Sequence, residues 1–358
     1  MDKELNLKMA EEISNANGAS GFEDDVVKVL RKYAEGLGEL DEDCLRNFYI
    51  YRKENKGKRP VVMLDAHSDE VGFMVQAIKP NGTLRIIPLG SWVTSNVPAH
   101  KVWVRNVEGK YIPGITASTP PHFMSAAQKN APLDFSDITV DVGAVSLEDA
   151  VENFKVGIGE PVVPDVTFRY DEEHDLMVGK SFDCRLGCAS LLSTLKELEG
   201  EELKVDIVGT CSTQEESGGG GARVTAGRIQ PDLAIVFEGC PADDTCVEAY
   251  MVQTALKKGP MLRYRDISML TNPRFQRYAL NKAKEHGIPV QAAVRSGGGT
   301  NGGYIYPTGK GVPTIVIGIP VRYAHTHYGI STYMDYAYGV ELACQILRAM
   351  DEETIKGF

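Results

Sequence analysis

Apolar positions along the chain follow two rhythms, one close to a helical turn and one of short unbroken runs, and their alternation sets the expected architecture. Two amphipathic stretches open the chain, at about residues 3–16 and 23–36; in the second, Phe22, Val26, Val27, Val29, Leu30 and Tyr33 recur at helical spacing. Gly18 and Gly21 interrupt the chain between them. Four apolar runs then read as buried strands: Pro60 to Ala66, Val205 to Cys211, Leu233 to Phe237 and Pro313 to Ile319. Helices are expected at about 183–198, 219–228, 272–286, 299–308 and 332–350. From about residue 166 onward strand and helix alternate, which predicts an α/β fold with a mixed, largely parallel sheet flanked by helices.

Residues 72–164 break that rhythm. Short, turn-punctuated strands (VGFMVQAI, GTLRIIPLG, KVWVRN, ITVDVG) and one helical piece, SLEDAVENFK, predict a small β-rich domain inserted into the α/β domain. Residues 1–71 and 165–358 would then form the α/β unit, and 72–164 the insert. A long edge meander on a single domain is the competing arrangement. Trp92 and Trp103, both in this segment, are expected in its core rather than at an interface.

Composition narrows the function classes. The 358 residues are 43% hydrophobic and 24% charged, ordinary globular values. Lys plus Arg number 38 against 49 for Asp plus Glu, a formal charge of −11. That balance offers no electrostatic footprint for nucleic acid or an anionic membrane surface. The opening MDKELNLKMAEEIS has no signal-peptide apolar core, and runs such as PTIVIGIPV are too short to cross a bilayer. Seven cysteines, odd in number and without zinc-knuckle spacing, read as reduced thiols of a cytoplasmic protein.

The candidate chemistry lies at the ends of the buried runs. VVMLDA leads into His67-Ser68-Asp69, VDIVGTCSTQ into Glu215-Glu216, DLAIVF into Glu238, and TIVIGIPVRYA into His325. Asp183 sits in GKSFDCRLGCA, where a strand-like stretch hands over to a helix. In open α/β sheets ligands bind beyond the carboxyl ends of the strands, so parallel pairing would gather these groups on one rim. Each has an ordinary alternative: a rim histidine, a solvated glutamate pair, or an N-cap for Asp183. Their shared placement favours a site.

Imidazole and carboxylate without thiolate suit zinc, cobalt or manganese. Two histidines and three carboxylates exceed the three protein ligands of a single catalytic zinc. They fit two ions about 3.5–4 Å apart that share a bridging carboxylate, with a bridging water made acidic between them. One of Glu215 and Glu216 could then bind metal while its neighbour serves as base, and Asp69 is placed to accept the ring N–H of His67. The Gly-rich SGGGGA and SGGGTNGGY carry no phosphate-loop pattern, and neither Ser68 nor Cys184 sits in a nucleophile motif.

At these residues the sequence resembles the tetrahedral-aminopeptidase family, metallopeptidase family forty-two, which includes glutamyl and deblocking aminopeptidases. The resemblance runs through AHSDEVGFMV, GITASTPPHF, GKSFDCRLGCA, STQEESGGGGA, the Glu238 strand end, GGGTNGGY and RYAHTHYG. It implies a zinc-peptidase-like catalytic domain with a PDZ-like insert. It also implies that Asp183 bridges two divalent ions, zinc or cobalt foremost and manganese as a third choice. His67 and Glu238 would complete one ion site, and Glu216 and His325 the other. Glu215 would be the general base and Asp69 the partner that orients His67. His327 competes with His325 as ligand, and the register of Arg322-Tyr323-Ala324-His325-Thr326 selects His325.

The implied activity is aminopeptidase cleavage of short peptides by a homo-oligomer, dimers assembling into a dodecamer. The segment Pro120 to Asp137 reads either as a plain surface loop or as a mobile one that reaches a neighbouring subunit's site. Two positions depart from the family: Glu238 stands where Asp is common, and Asn301 replaces a carboxylate, a change expected to alter the substrate pocket rather than to touch metal. Alternatives are a metal-dependent deacylase of N-acyl amino acids and a catalytically silent assembly protein of the same fold.

Overall fold

The computed structural model describes all residues, 1–358. Its centre is an eight-stranded mixed sheet. Asp206–Ser212, Val61–His67, Leu233–Pro241 and Thr314–Val321 lie side by side in that order, all parallel. These are the four apolar runs, and almost every residue in them is buried, as expected for strands covered on both faces. Antiparallel Gly38–Glu42 and Phe48–Arg52 extend one edge, and Met261–Arg265 with Gln291–Val294 extend the other. None of these four edge strands is evident in the hydrophobic pattern.

Helices cover both faces. On one, Lys3–Asn15, Asp24–Ala34, Phe182–Glu197, Pro273–Glu285 and Tyr333–Ala349 enclose the main core with Ile13, Leu30, Leu191, Phe237 and Leu347. On the other, Ala222, Ala226 and Ile305 pack on Met63, Ala234 and Val316. The helix expected over 299–308 shortens to Gly302–Ile305. The apolar run ending at Phe237 extends through Pro241, so Glu238 lies inside a strand rather than after it.

Residues 72–164 contain a closed six-stranded barrel of Gly72–Ile78, Leu84–Leu89, Thr139–Asp141, Tyr111–Ala117, Lys101–Arg105 and Pro161–Pro164. The short strands expected in this segment are present and close into a barrel, whereas the resemblance had implied a PDZ-like form. Phe73, Val75, Ile86, Val104 and Val162 form a core of its own, to which Ala150 of the helix Leu147–Glu152 contributes. Trp92 and Trp103 are half-buried rather than enclosed. Trp92 leans on Phe73 with ring centroids 4.7 Å apart.

A three-stranded sheet of Arg169–Asp171, Leu176–Gly179 and Gly329–Ser331 lies beside the rim. It pairs Gly179 with Gly329, so the chain entering Asp183 runs beside the chain leaving His325. Gly239 allows the neighbouring approach. A Cβ there would press on the Phe182 carbonyl and lie 2.7 Å from the Asp183 Cα. Gly239→Ala should therefore displace the Asp183 segment, lowering stability by about 1–3 kcal/mol in denaturant melts and reducing bound metal in elemental analysis. Normal metal content would show that this close approach does not set the position of Asp183.

Candidate metal centre and active site

The five expected ligands meet at the carboxyl ends of the parallel strands. His67 closes its strand and is 2% exposed; its Nε2 lies 3.0 Å from Asp183 Oδ1 and 3.3 Å from Glu238 Oε1. His325 Nε2 lies 3.3 Å from the other Asp183 oxygen, Oδ2, and 3.5 Å from Glu216 Oε1. Asp183 thus stands between two imidazoles, with Glu238 on one side and Glu216 on the other. Donor atoms of Asp183, Glu216 and His325 lie within 4.8 Å of one another, as do those of His67, Glu215 and Glu216. Cys184 forms a similar group with His67 and Glu238, and its thiol donates to the Phe237 carbonyl at 3.2 Å.

Local backbone geometry aims these side chains. Asp183 and Cys184 depart from helical angles, so Asp183 sits on the rim ahead of the regular turns. His325 and Gln214 adopt left-handed conformations, φ 59° and 58°. Such residues cost on the order of 1–3 kcal/mol each and persist where the surroundings over-determine them. His325 Nδ1–H donates to the Ser91 carbonyl at 2.9 Å, which fixes the ring with Nε2 toward the acids. His327 is directed elsewhere: its ring stacks on His100 at 4.2 Å, and Nε2 faces the Val97 carbonyl at 3.3 Å.

Asp69 does more than expected. Its Oδ1 lies 3.4 Å from His67 Nδ1, longer than a good hydrogen bond. The same oxygen accepts the Glu215 N–H at 2.9 Å; Oδ2 accepts the Glu216 N–H at 3.1 Å and the Ser20 hydroxyl at 2.5 Å. One carboxylate therefore faces a histidine and holds the backbone of both glutamates. Glu23 accepts the Gln214 N–H at 3.2 Å, and Glu70 accepts Gly18 N–H and Lys180 Nζ–H at 2.9 Å each, and the Ser181 hydroxyl. Sequence reasoning missed Ser20, Glu23 and Glu70. For Ser20 and Glu23 the one signal is the Gly18–Gly21 break between the first two helices; nothing comparable marks Glu70.

Asn301 is fully buried and donates from Nδ2 to Asp65 Oδ2 at 2.7 Å. It does not line the cavity, so the expected effect on the pocket has no direct contact behind it. The cavity beside the acid cluster measures 560 Å³ and is lined by Asp183, Glu215, Glu216, Glu238 and His325 together with two arginines, Arg263 and Arg295.

A model described as M42 glutamyl aminopeptidase matches residues 47–342. The chain belongs to that family. It is 30% identical over 354 residues to the lysyl aminopeptidase of Pyrococcus furiosus, covering 97% of this chain and 98% of that one. To the glutamyl aminopeptidase of Lactococcus lactis it is 29% identical over 345 residues, with 96% of each covered. The crystal structure of a TET aminopeptidase from a marine-sediment thaumarchaeon is similar with TM-score 0.95 at 32% identity, covering 99% of both chains. As an M42 member the chain is a peptide hydrolase of a metal-dependent family. No helix is long and apolar enough to cross a membrane.

The M42 donor set fits divalent metal. Glu216 Oε1 is buried without a hydrogen-bond partner, four carboxylates and the His325 imidazole line the cavity, and the His67 ring stands against Asp183 and Glu238. Without metal, protons must offset that charge. Burial, then the Asp183 charge, pushes Glu238 up to about 8 from 4.5. For His325 burial opposes protonation, but Asp183 and Glu216 outweigh it and raise the ring from 6.5 to about 10. His67 is raised well above 6.5 against its burial by the neighbouring Cys184 and by hydrogen bonding to Asp183, Asp69 and Glu238.

Both raised groups bind more protons folded than unfolded, Glu238 between 4.5 and about 8 and His325 between 6.5 and about 10. Stability of the metal-free protein should therefore fall as pH rises through that window. Metal must expel those protons, so its binding should tighten with pH. Calorimetric titration with Co²⁺ or Mn²⁺ in buffers of different ionisation enthalpy should show proton release. A titration that releases none would contradict this account.

Proposed function

We propose that the chain is a dinuclear, co-catalytic metallo-aminopeptidase that removes N-terminal residues from short peptides in the cytoplasm. The observation that carries this reading is the Asp183 carboxylate, whose two oxygens face two different imidazoles. Asp183, His67 and Glu238 would hold one ion; Asp183, Glu216 and His325 the other. Two histidines with three carboxylates suit zinc or cobalt, with manganese also compatible. Such ions, when bound, polarise a scissile carbonyl and acidify a water.

The protein's own groups supply the proton traffic. Glu215 is the general base: it takes a proton from the attacking water and passes it to the leaving amine. Burial raises its pKa, which brings a carboxylate closer to a neutral working pH. Asp69 is a positioning residue that fixes the base through the Glu215 N–H and stands beside His67. The substrate's free α-amine meets the acidic wall of the cavity.

In this reading residues 1–71 and 165–358 are the catalytic unit and 72–164 the assembly unit; their separate apolar cores support the division. Phe123, Val145 and Ile158 are strongly exposed on the insert, which favours its use between copies in a homo-oligomer, dimers building a dodecamer. The loop from Pro120 to Asp137 is largely exposed and is the segment free to reach a neighbour.

Turnover of aminoacyl anilides after reconstitution with zinc, cobalt or manganese tests the activity; a protein silent with all three ions defeats it. Glu215→Gln should cut kcat by about 10²–10⁴-fold with metal content near normal. Undiminished turnover in that variant would remove Glu215 as base. Asp183→Ala should lose both ions together, and retention of one ion at full occupancy would refute the bridge.

A further inference from the structure

Glu23 is fully buried close to the acid cluster, yet it neither lines the cavity nor stands among the metal donors. It occupies the N-cap of the helix Asp24–Ala34, where a side-chain oxygen ordinarily accepts from the first turn of its own helix. Glu23 gives its helix no such bond. Its Oε1 accepts the Gly21 N–H at 2.8 Å and, from a distant part of the chain, the Gln214 N–H at 3.2 Å. Oε2 is buried without a partner.

Gln214 is the residue that needs such a hold. It precedes Glu215 in a left-handed conformation, φ 58°, which a residue with a side chain keeps only where its surroundings impose it. Its carbonyl accepts the Gly219 N–H at 3.0 Å, so Glu23 closes the other side of the same peptide turn. Asp69 grips that turn only from Glu215 onward. The consecutive N–H groups of Gln214, Glu215 and Glu216 thus end on two buried carboxylates.

One short segment sets both carboxylates. Ser20 donates to Asp69 at 2.5 Å and Gly21 to Glu23, while Ala19 bridges in parallel to Glu70, whose N–H donates to the Gly18 carbonyl at 3.0 Å. Burial, then the Asp69 charge, pushes Glu23 up to about 8 from 4.5. With or without its proton, Oε1 accepts the two N–H groups. What the turn requires is therefore an acceptor oxygen at this reach, not a charge.

We propose that Glu23 is a positioning residue for the general base, holding through Oε1 the left-handed turn at Gln214 that directs Glu215 into the cavity. This rests on the aminopeptidase reading, in which Glu215 is the base. The plainer alternative is a buried tie between helix and sheet, which would lower stability without acting through Glu215.

Three substitutions separate the two. Glu23→Gln keeps an acceptor at the same reach, Glu23→Asp keeps the acid but falls one carbon short, and Glu23→Ala removes both. On the metal-reconstituted full chain the Asp and Ala variants should lower kcat by about 10- to 100-fold, with KM within about threefold and both ions retained. Glu23→Gln should stay within about threefold of wild-type kcat. In a Glu215→Gln background, Glu23→Ala should cost less than about threefold more, because groups that act as a unit are non-additive. Amide exchange in peptides spanning Gln214, read by mass spectrometry, should quicken in the Asp and Ala variants and not in the Gln variant.

Undiminished kcat in Glu23→Asp overturns the proposal, as does an equal loss with and without Glu215. A loss in Glu23→Gln as large as that in Glu23→Asp makes charge the operative property and overturns it too. Should Glu23→Ala fail to fold, the contrast between Gln and Asp decides. A wild type that hydrolyses no aminoacyl anilide sinks the aminopeptidase reading beneath, and the exchange contrast then tells separately whether Glu23 holds the turn.

Discussion

The constraint on which the structure turns is the crowding of several carboxylates and two imidazoles within a few ångströms of one another. Uncompensated, such a group would be driven apart or held protonated; Glu238 and His325 already carry raised proton affinities for that reason. The fold holds them together from independent directions. Parallel strands deliver His67 and Glu238, the small sheet aligns the approaches to Asp183 and His325, and Asp69 secures the backbone of Glu215 and Glu216. No one of these elements could do so alone, because the residues lie far apart along the chain.

A layer of buried polar side chains supports the cluster from beneath. Asp65 accepts from Thr210 at 2.6 Å, from Ser212, and from Asn301 at 2.7 Å. An amide at position 301 can donate to Asp65, whereas an ionised carboxylate there would need a proton to do the same. The departure from the family pattern therefore acts on the foundations of the rim rather than on the substrate. Glu70 plays a comparable part, joining the first turn of the chain to Lys180 and Ser181 just ahead of Asp183.

How much of this was legible in sequence depended on whether the signal was local. The four parallel strands were readable because burial on both faces leaves unbroken apolar runs, and five candidate ligands followed from their ends and from one helix start. Gly38–Glu42 was not, because GELDE has no apolar run and is a strand only through its pairing with Phe48–Arg52. Pro161–Pro164 is four residues bounded by prolines, and it joins the barrel by pairing with strands some sixty to ninety positions earlier. Ser20 and Glu23 carried no chemical motif; their meaning lies in contacts with Asp69 and Gln214, nearly fifty and two hundred residues away.

Ser91 lies in the loop after the barrel strand Leu84–Leu89, yet its carbonyl orients His325 at the other end of the chain. Trp92 beside it leans on the His327 ring, 5.1 Å between centroids. The barrel segment is therefore no detachable cassette. Excising it would leave the His325 ring without the one carbonyl that fixes its tautomer, on the opposite side of the cleft.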